Sequence, residues 1–155
     1  MITIDELMTS NPYTLSETDT LEDARKLMTE KNIRHIPITD QDNNLRGLVT
    51  QRDILQATGP GAEQDDVKLS DIMINHVSVI HTTDSLRQAA LFLQSHKYGC
   101  LPVVENDRLV GIITDSDFIT IAINLLEQIE LAEDVDDYDQ DAMEDFGVPD
   151  IEEEF

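Results

Sequence analysis

The chain has 155 residues, 40% of them hydrophobic, which is enough for one ordinary domain or two small repeats and excludes wholesale disorder. Lys+Arg number 10 against 33 Asp+Glu, a formal charge of −23. A surface this acidic repels phosphate backbones and anionic lipids, so nucleic acid and membrane surfaces are excluded as first partners.

The single cysteine, Cys100, has no intramolecular disulfide partner, which suits a reducing compartment. No basic-then-apolar leader opens the chain, and the uncharged stretch 118–126 is too short to cross a bilayer. The expectation is a cytoplasmic protein.

In chain order, a short strand at 13–15 leads to a helix opened by Thr20. Thr20 with Asp23 has the spacing of a capping box, and Leu21, Ala24, Leu27 and Met28 share one helical face. Strands follow at 35–39 and 46–50, joined by a turn rich in Asp and Asn, and a second helix closes the unit. Residues 59–67 are a linker of breakers and acids. Its Gly59-Pro60-Gly61 follows a helix rather than a strand and lacks a third glycine, so it is no phosphate cradle.

The layout then recurs. A strand at 77–80 leads to a helix opened by Ser85, with Gln88 three residues on and Leu86, Ala89, Ala90 and Leu93 on one face. Strands at 100–104 and 109–114 precede a last helix that Ile121, Leu125 and Ile129 carry to residue 131. From Glu127 onward there are 14 acids and no Lys or Arg, so residues 132–155 read as an acidic, disordered tail. Tyr138, Met143, Phe146, Val148, Ile151 and Phe155 also give that tail the look of a partner-docking segment. A calcium loop starting at Asp137 fails, because Ala142 stands where glycine is needed and Val148 where the bidentate glutamate belongs.

The recurrence is an internal repeat. A shift of 65 places Leu7-Met8 on Ile72-Met73, Asp19-Thr20-Leu21 on Asp84-Ser85-Leu86, and Ile36-Pro37-Ile38 on Leu101-Pro102-Val103. One deletion later, a shift of 64 places Gly47-Leu-Val-Thr50-Gln-Arg-Asp53 on Gly111-Ile-Ile-Thr114-Asp-Ser-Asp117. A unit of this size buries too little apolar surface alone, so two copies packing together are expected, with small-molecule clefts between them.

These motifs resemble the CBS domain family, and the tandem resembles a Bateman module. The carrying features are the strand order, the apolar-Pro-apolar strands and Gly-apolar-apolar-Thr-x-x-Asp at the last helix, over roughly residues 5–126. The resemblance implies an α+β fold of two β-α-β-β-α repeats packed through their sheets with pseudo-two-fold symmetry: residues 1–58, the linker 59–67, and 68–131 followed by the tail. It also implies regulatory binding of an adenosine-containing ligand and no catalysis.

In Thr-x-x-Asp at a helix start, the carboxylate can accept from both ribose hydroxyls, while the threonine and the helix N-terminus favour sugar or phosphate. Carried over from the family, Thr114 and Asp117 work with Ile33, Arg34 and His35 in one cleft. Thr50, Arg52 and Asp53 work with Tyr98, Gly99 and Cys100 in the other, and Thr14 and Val79 close over the base. An aspartate in that place also serves a helix start through the dipole alone.

On this reading the first cleft has Arg34 and His35 for a phosphate with Asp115 working against them, and the second has Arg52 but nothing basic near Gly99-Cys100. This favours AMP or an adenosine-like ligand over ATP unless Lys97 and backbone amides compensate. S-adenosylmethionine, NAD and cyclic dinucleotides stay open. No resident cofactor and no metal site are expected: His35, His76, His81 and His96 lack ligand spacing. The family default is a homodimer that relays occupancy to an unidentified regulated protein. The alternative is an interaction or scaffold module acting through its dimer surface and acidic tail without an obligatory ligand. An enzyme is the third reading, and no nucleophile–base pair or metal motif supports it.

Overall fold

Thr20 and Ser85 start helices in the computed structural model of the chain, which describes residues 2–59, 67–97 and 99–139. The Asp23 amide donates to Thr20 Oγ1 at 3.2 Å and the Thr20 amide to the Asp23 carboxylate at 3.0 Å. Ser85 and Gln88 make the same exchange at 3.1 and 3.0 Å. Each exchange satisfies two donors that a helix start otherwise leaves orphaned.

The first half holds α1 (Ile4–Leu7), β1 (Thr9–Ser10), α2 (Leu21–Lys31), β2 (His35–Thr39), β3 (Leu45–Thr50) and α3 (Gln51–Ala57). The second holds α4 (Leu69–Ile72), β4 (Ile80–His81), α5 (Leu86–Ser95), β5 (Cys100–Glu105), β6 (Arg108–Thr114) and α6 (Asp115–Asp139). The chain forms two units, residues 1–118 and 119–155.

In the first unit, one sheet has the order β1-β6-β5-β4, and β2 and β3 pair as a second. Bridges Leu15↔Ile38 and Leu48↔Ile74 flank that second pair, so both sheets carry the same arrangement. The strand expected at 13–15 is reduced to the Leu15 bridge, and the one expected at 77–80 is shortened and shifted to β4 at Ile80–His81. Pro37 and Pro102 lie fully buried within strands. Leu15 donates to the Pro37 carbonyl at 3.2 Å, so this pairing uses the proline's acceptor and not its missing donor.

The lead-in segments are exchanged between the repeats. Thr9 and Ser10 pair with Ile112 and Gly111 of the second repeat. Ile74 pairs with Leu48 of the first through bonds of 2.8 and 3.1 Å. Side chains follow the backbone. Ile4 is fully buried among Ile80, Leu101, Val103 and Ile113, and Leu69 among Leu21, Ile36, Ile38 and Val49. The two cores therefore cross the boundaries drawn from sequence: residues near 4 serve the second repeat and residues near 69 the first. A third buried group of Leu48, Cys100 and Ile112 joins the sheets of the two repeats, giving the expected sheet-to-sheet packing.

Gly47 and Gly111 make the exchange possible. A Cβ on Gly47 would stand 2.9 Å from the Ile74 carbonyl oxygen, and one on Gly111 would stand 3.0 Å from that of Thr9, with Met73 and Met8 crowding the same points. Alanine at either position is expected to destabilise the protein by about 1–3 kcal/mol through overpacking against backbone. Gly59→Ala, which meets its nearest atom at 3.5 Å, serves as the control. Urea unfolding of the three variants checks this.

Among the described residues, the second unit is the α6 helix from residue 119 to Asp139. The helix continues to Asp139, past the end at 131 expected from sequence, so residues 132–139 are helical and not tail. Once nucleated, each further residue adds a backbone hydrogen bond, and Leu131 and Ala132 are strong helix formers. Ile119, Ile123, Leu125, Leu126, Ile129, Leu131 and Val135 are all more than half exposed and spread around the axis rather than in one stripe. Among the described residues no helix is long and apolar enough to cross a membrane. Residues 60–66 of the expected linker and 140–155 of the expected tail lie outside the described residues.

Candidate functional site

Two equivalent hydrogen bonds build the site. The Gln51 amide, first of α3, donates to the Arg34 carbonyl at 2.9 Å, and the Asp115 amide, first of α6, donates to the Gly99 carbonyl at 3.2 Å. Each bond ties the end of one strand and the start of its helix to the residue that leads into the neighbouring strand. Gly99 takes φ +64°, where a side chain is disfavoured, and a Cβ there would stand 3.2 Å from the Asp115 carboxylate.

The Thr-x-x-Asp motifs close at these helix starts. Asp53 Oδ2 accepts from the Thr50 amide at 2.8 Å and from Thr50 Oγ1 at 2.9 Å. Asp117 Oδ2 accepts from the Thr114 amide at 2.8 Å and from Thr114 Oγ1 at 3.4 Å. The helix-start role of these aspartates is thus realised, and it uses one oxygen of each carboxylate. Among the described residues, the other oxygen of each half-buried carboxylate has no protein partner. The cap fixes the rotamer and leaves an acceptor for a ligand hydroxyl.

Two cavities adjoin these motifs. The larger, about 630 Å³, is lined by the predicted Ile33, Arg34, His35, Gly99 and Thr114, together with Pro12, Tyr13, Lys97, Ile112 and Asp115. The smaller, about 310 Å³, is lined by the predicted Thr50, Arg52 and Asp53, by Arg34 and His35 again, and by Gln51, Ile74 and Lys97. Thr50 and Asp53 of one motif and Thr114 of the other therefore face different cavities that share a wall, whereas Asp117, predicted with Thr114, is not among the residues lining either.

Several predicted residues sit elsewhere. Gly99 lines the larger cavity instead of joining Thr50 and Asp53, because its carbonyl is bonded to Asp115. The Cys100 side chain is fully buried between Leu48 and Ile112; burial pushes its thiol far above the ordinary range, and the Asp115 and Asp117 charges add to the shift. Val79 lines a separate depression of about 420 Å³ with Asp40, Arg46 and Asp107. Thr14 is half-buried beside the Leu15 bridge and is not among the residues lining either cavity. Tyr98 lies outside the described residues.

The charge distribution also departs from expectation. The smaller cavity has not only Arg52 but Arg34 and Lys97, so the ground for preferring a weakly charged ligand there is gone. None of these three cations enters an ion pair among the described residues. Tyr13, Gln51 and Ile74 are lining residues that motif reading passes over, while Lys97 and Asp115 enter it only as groups that bear on the charge of the clefts. The repeat spacing also points to Lys97, which stands one repeat after Asn32, and both line the larger cavity. Among the described residues, no group of His, Cys, Asp and Glu is placed to hold a metal ion.

A duplicated α+β unit with exchanged lead-ins and two adjoining clefts defines a tandem-repeat module. The CBS domain family model matches residues 4–59 and again 69–124, and the chain belongs to that family with two copies of the domain. A Vibrio cholerae protein bearing the acetoin-utilization name AcuB is 48% identical, with a TM-score of 0.74 over 84% of this chain and 96% of its own. CBSX2 in complex with AMP has a TM-score of 0.71 at 25% identity, over 81% of this chain and 98% of its own. The CBS domain pair of MJ0100, in complex with 5′-methylthioadenosine and S-adenosylmethionine, has a TM-score of 0.73 at 25% identity, over 80% of this chain and 98% of its own. Among curated relatives, the chain spans about a quarter of the length of the homoserine O-acetyltransferase of Methanococcus vannielii, at 30% identity over 122 residues.

Proposed function

We propose that the chain is a cytoplasmic regulatory module that binds an adenosine-containing nucleotide, AMP foremost, in the two clefts and relays occupancy to a partner protein. The observation that carries this reading is Asp53, with one oxygen tied to Thr50 and no protein partner on the other among the described residues, in the wall of the smaller cavity beside Arg34, Arg52 and Lys97, none of which enters an ion pair among the described residues. A ribose offers two hydroxyls to such an oxygen, and Arg34, Arg52 and Lys97 suit its phosphate. In the larger cavity Tyr13, Pro12, Ile33 and Ile112 give a base an aromatic and apolar wall. The bound adenosine ligands of CBSX2 and MJ0100 support the same class of ligand.

The role is binding rather than catalysis: the Cys100 thiol is packed with Leu48 and Ile112 and lines neither cavity. Relay works by population shift, with the ligand favouring one arrangement of the module. Asp117 opens α6, so the exposed apolar residues from Ile119 to Val135 lie on the same helix as the motif and are the surface offered to a second copy or a partner.

Isothermal titration against AMP, ADP, ATP, S-adenosylmethionine and NADH, after stripping co-purified ligand, tests the proposal. Saturable binding of an adenosine ligand is the expected result. Binding of none of them sinks it and favours the interaction module, for which the exposed apolar helix is the specific observation.

A further inference from the structure

Resting on that nucleotide reading, we infer that the two clefts bind phosphate-bearing ligands against each other, because they draw on the same cations. Arg34 and Lys97 line the larger and the smaller cavity alike, whereas Arg52 lines only the smaller. His35 also lines both, and adds positive charge only when protonated. Asp115 faces the larger cavity and Asp53 the smaller.

Counted cavity by cavity, each has an excess of positive charge. Counted once, three cations face two carboxylates, an excess of a single charge. A phosphate monoester carries about 1.5 to 2 negative charges at pH 7. The first nucleotide therefore reverses the local sign, and a second phosphate arrives at a net negative site on a chain already at −23. An uncharged adenosine ligand meets no such opposition. The module accordingly accepts one phosphorylated and one uncharged adenosine ligand more readily than two phosphorylated ones, and its response reports their ratio.

The test isolates each cleft. Gln51 lines only the smaller cavity and Ser116 only the larger, so Gln51→Trp and Ser116→Trp each fill one; the phenylalanine variants replace either that fails to fold by circular dichroism. Each variant is expected to keep one AMP site by isothermal titration. In the unmodified protein at about 50 mM salt, the second AMP is expected to bind at least about tenfold more weakly than the single-cleft value, a gap that narrows at about 500 mM salt as screening shortens. Adenosine shows no such gap.

Because the cation is shared, Lys97→Met lowers AMP affinity about fivefold in both single-cleft variants. Two AMP molecules filling the unmodified protein with the single-cleft affinities overturns the inference. So does a Lys97→Met effect in one variant only, or a single-cleft variant that binds no AMP. Absence of AMP binding to the unmodified protein is a separate result, which removes the nucleotide reading and this inference with it.

Discussion

Alanine at both Asp53 and Asp117 is expected to weaken AMP binding about a hundredfold at each cleft, while the protein remains folded. Each carboxylate has one oxygen fixed by its threonine and, among the described residues, no protein partner on the other, and a hydrogen bond to a charged acceptor contributes roughly 1.5–3 kcal/mol. Losing the acceptor for two ribose hydroxyls accounts for about two powers of ten. The same substitution removes a helix-start partner at a cost of about 0.5–2 kcal/mol, so thermal unfolding must be followed alongside isothermal titration.

Asp53→Asn with Asp117→Asn separates the two roles. Asparagine still accepts from the Thr50 and Thr114 amides, yet it carries no charge toward the ligand. Stability close to that of the unmodified protein with AMP affinity reduced at least tenfold is the expected outcome. Unchanged affinity in the folded double alanine variant removes the aspartates from the ligand site.

The second large effect is far from the clefts. Ile4→Ala is expected to destabilise the protein by about 2–5 kcal/mol in urea unfolding, a large share of the stability of a small domain. A position this near a chain terminus is ordinarily tolerant, but Ile4 is fully buried in the core of the second repeat with Ile80, Leu101, Val103 and Ile113. Ile2→Ala, at a residue 49% exposed, should stay within about 0.5 kcal/mol. Leu69→Ala should match Ile4→Ala, because Leu69 fills the equivalent place in the first core. An Ile4→Ala midpoint equal to that of Ile2→Ala would contradict the exchanged lead-in.

Local chemistry made much of this legible before any coordinates. The Thr20 and Ser85 capping boxes, the apolar-Pro-apolar strands and the Asn- and Asp-rich turns are set by residues within a few positions of one another. Asn43, Asn106 and Asp107 do adopt the left-handed backbone such turns need. The duplicated Thr-x-x-Asp is legible for the same reason, since its cap closes over three residues. Where α6 ends was misread because composition reports how well a segment is solvated, whereas a helix already nucleated extends through acids when alanine and leucine accompany them.

Sequence by itself determined the repeat, its elements, the resemblance to the family and the duplicated Thr-x-x-Asp. Only the tertiary structure decided which repeat receives each lead-in, because Ile4 and Leu69 are equivalent in pattern and suit either core, and pairings of one or two residues leave no periodicity to read. It alone decided that Cys100 is sealed between the sheets and that Gly99 belongs to the larger cavity. It also brought Arg34 and Lys97, 63 positions apart, to the wall between the clefts. Electrostatic sharing depends on distance through space, and spacing along the chain carries no record of it.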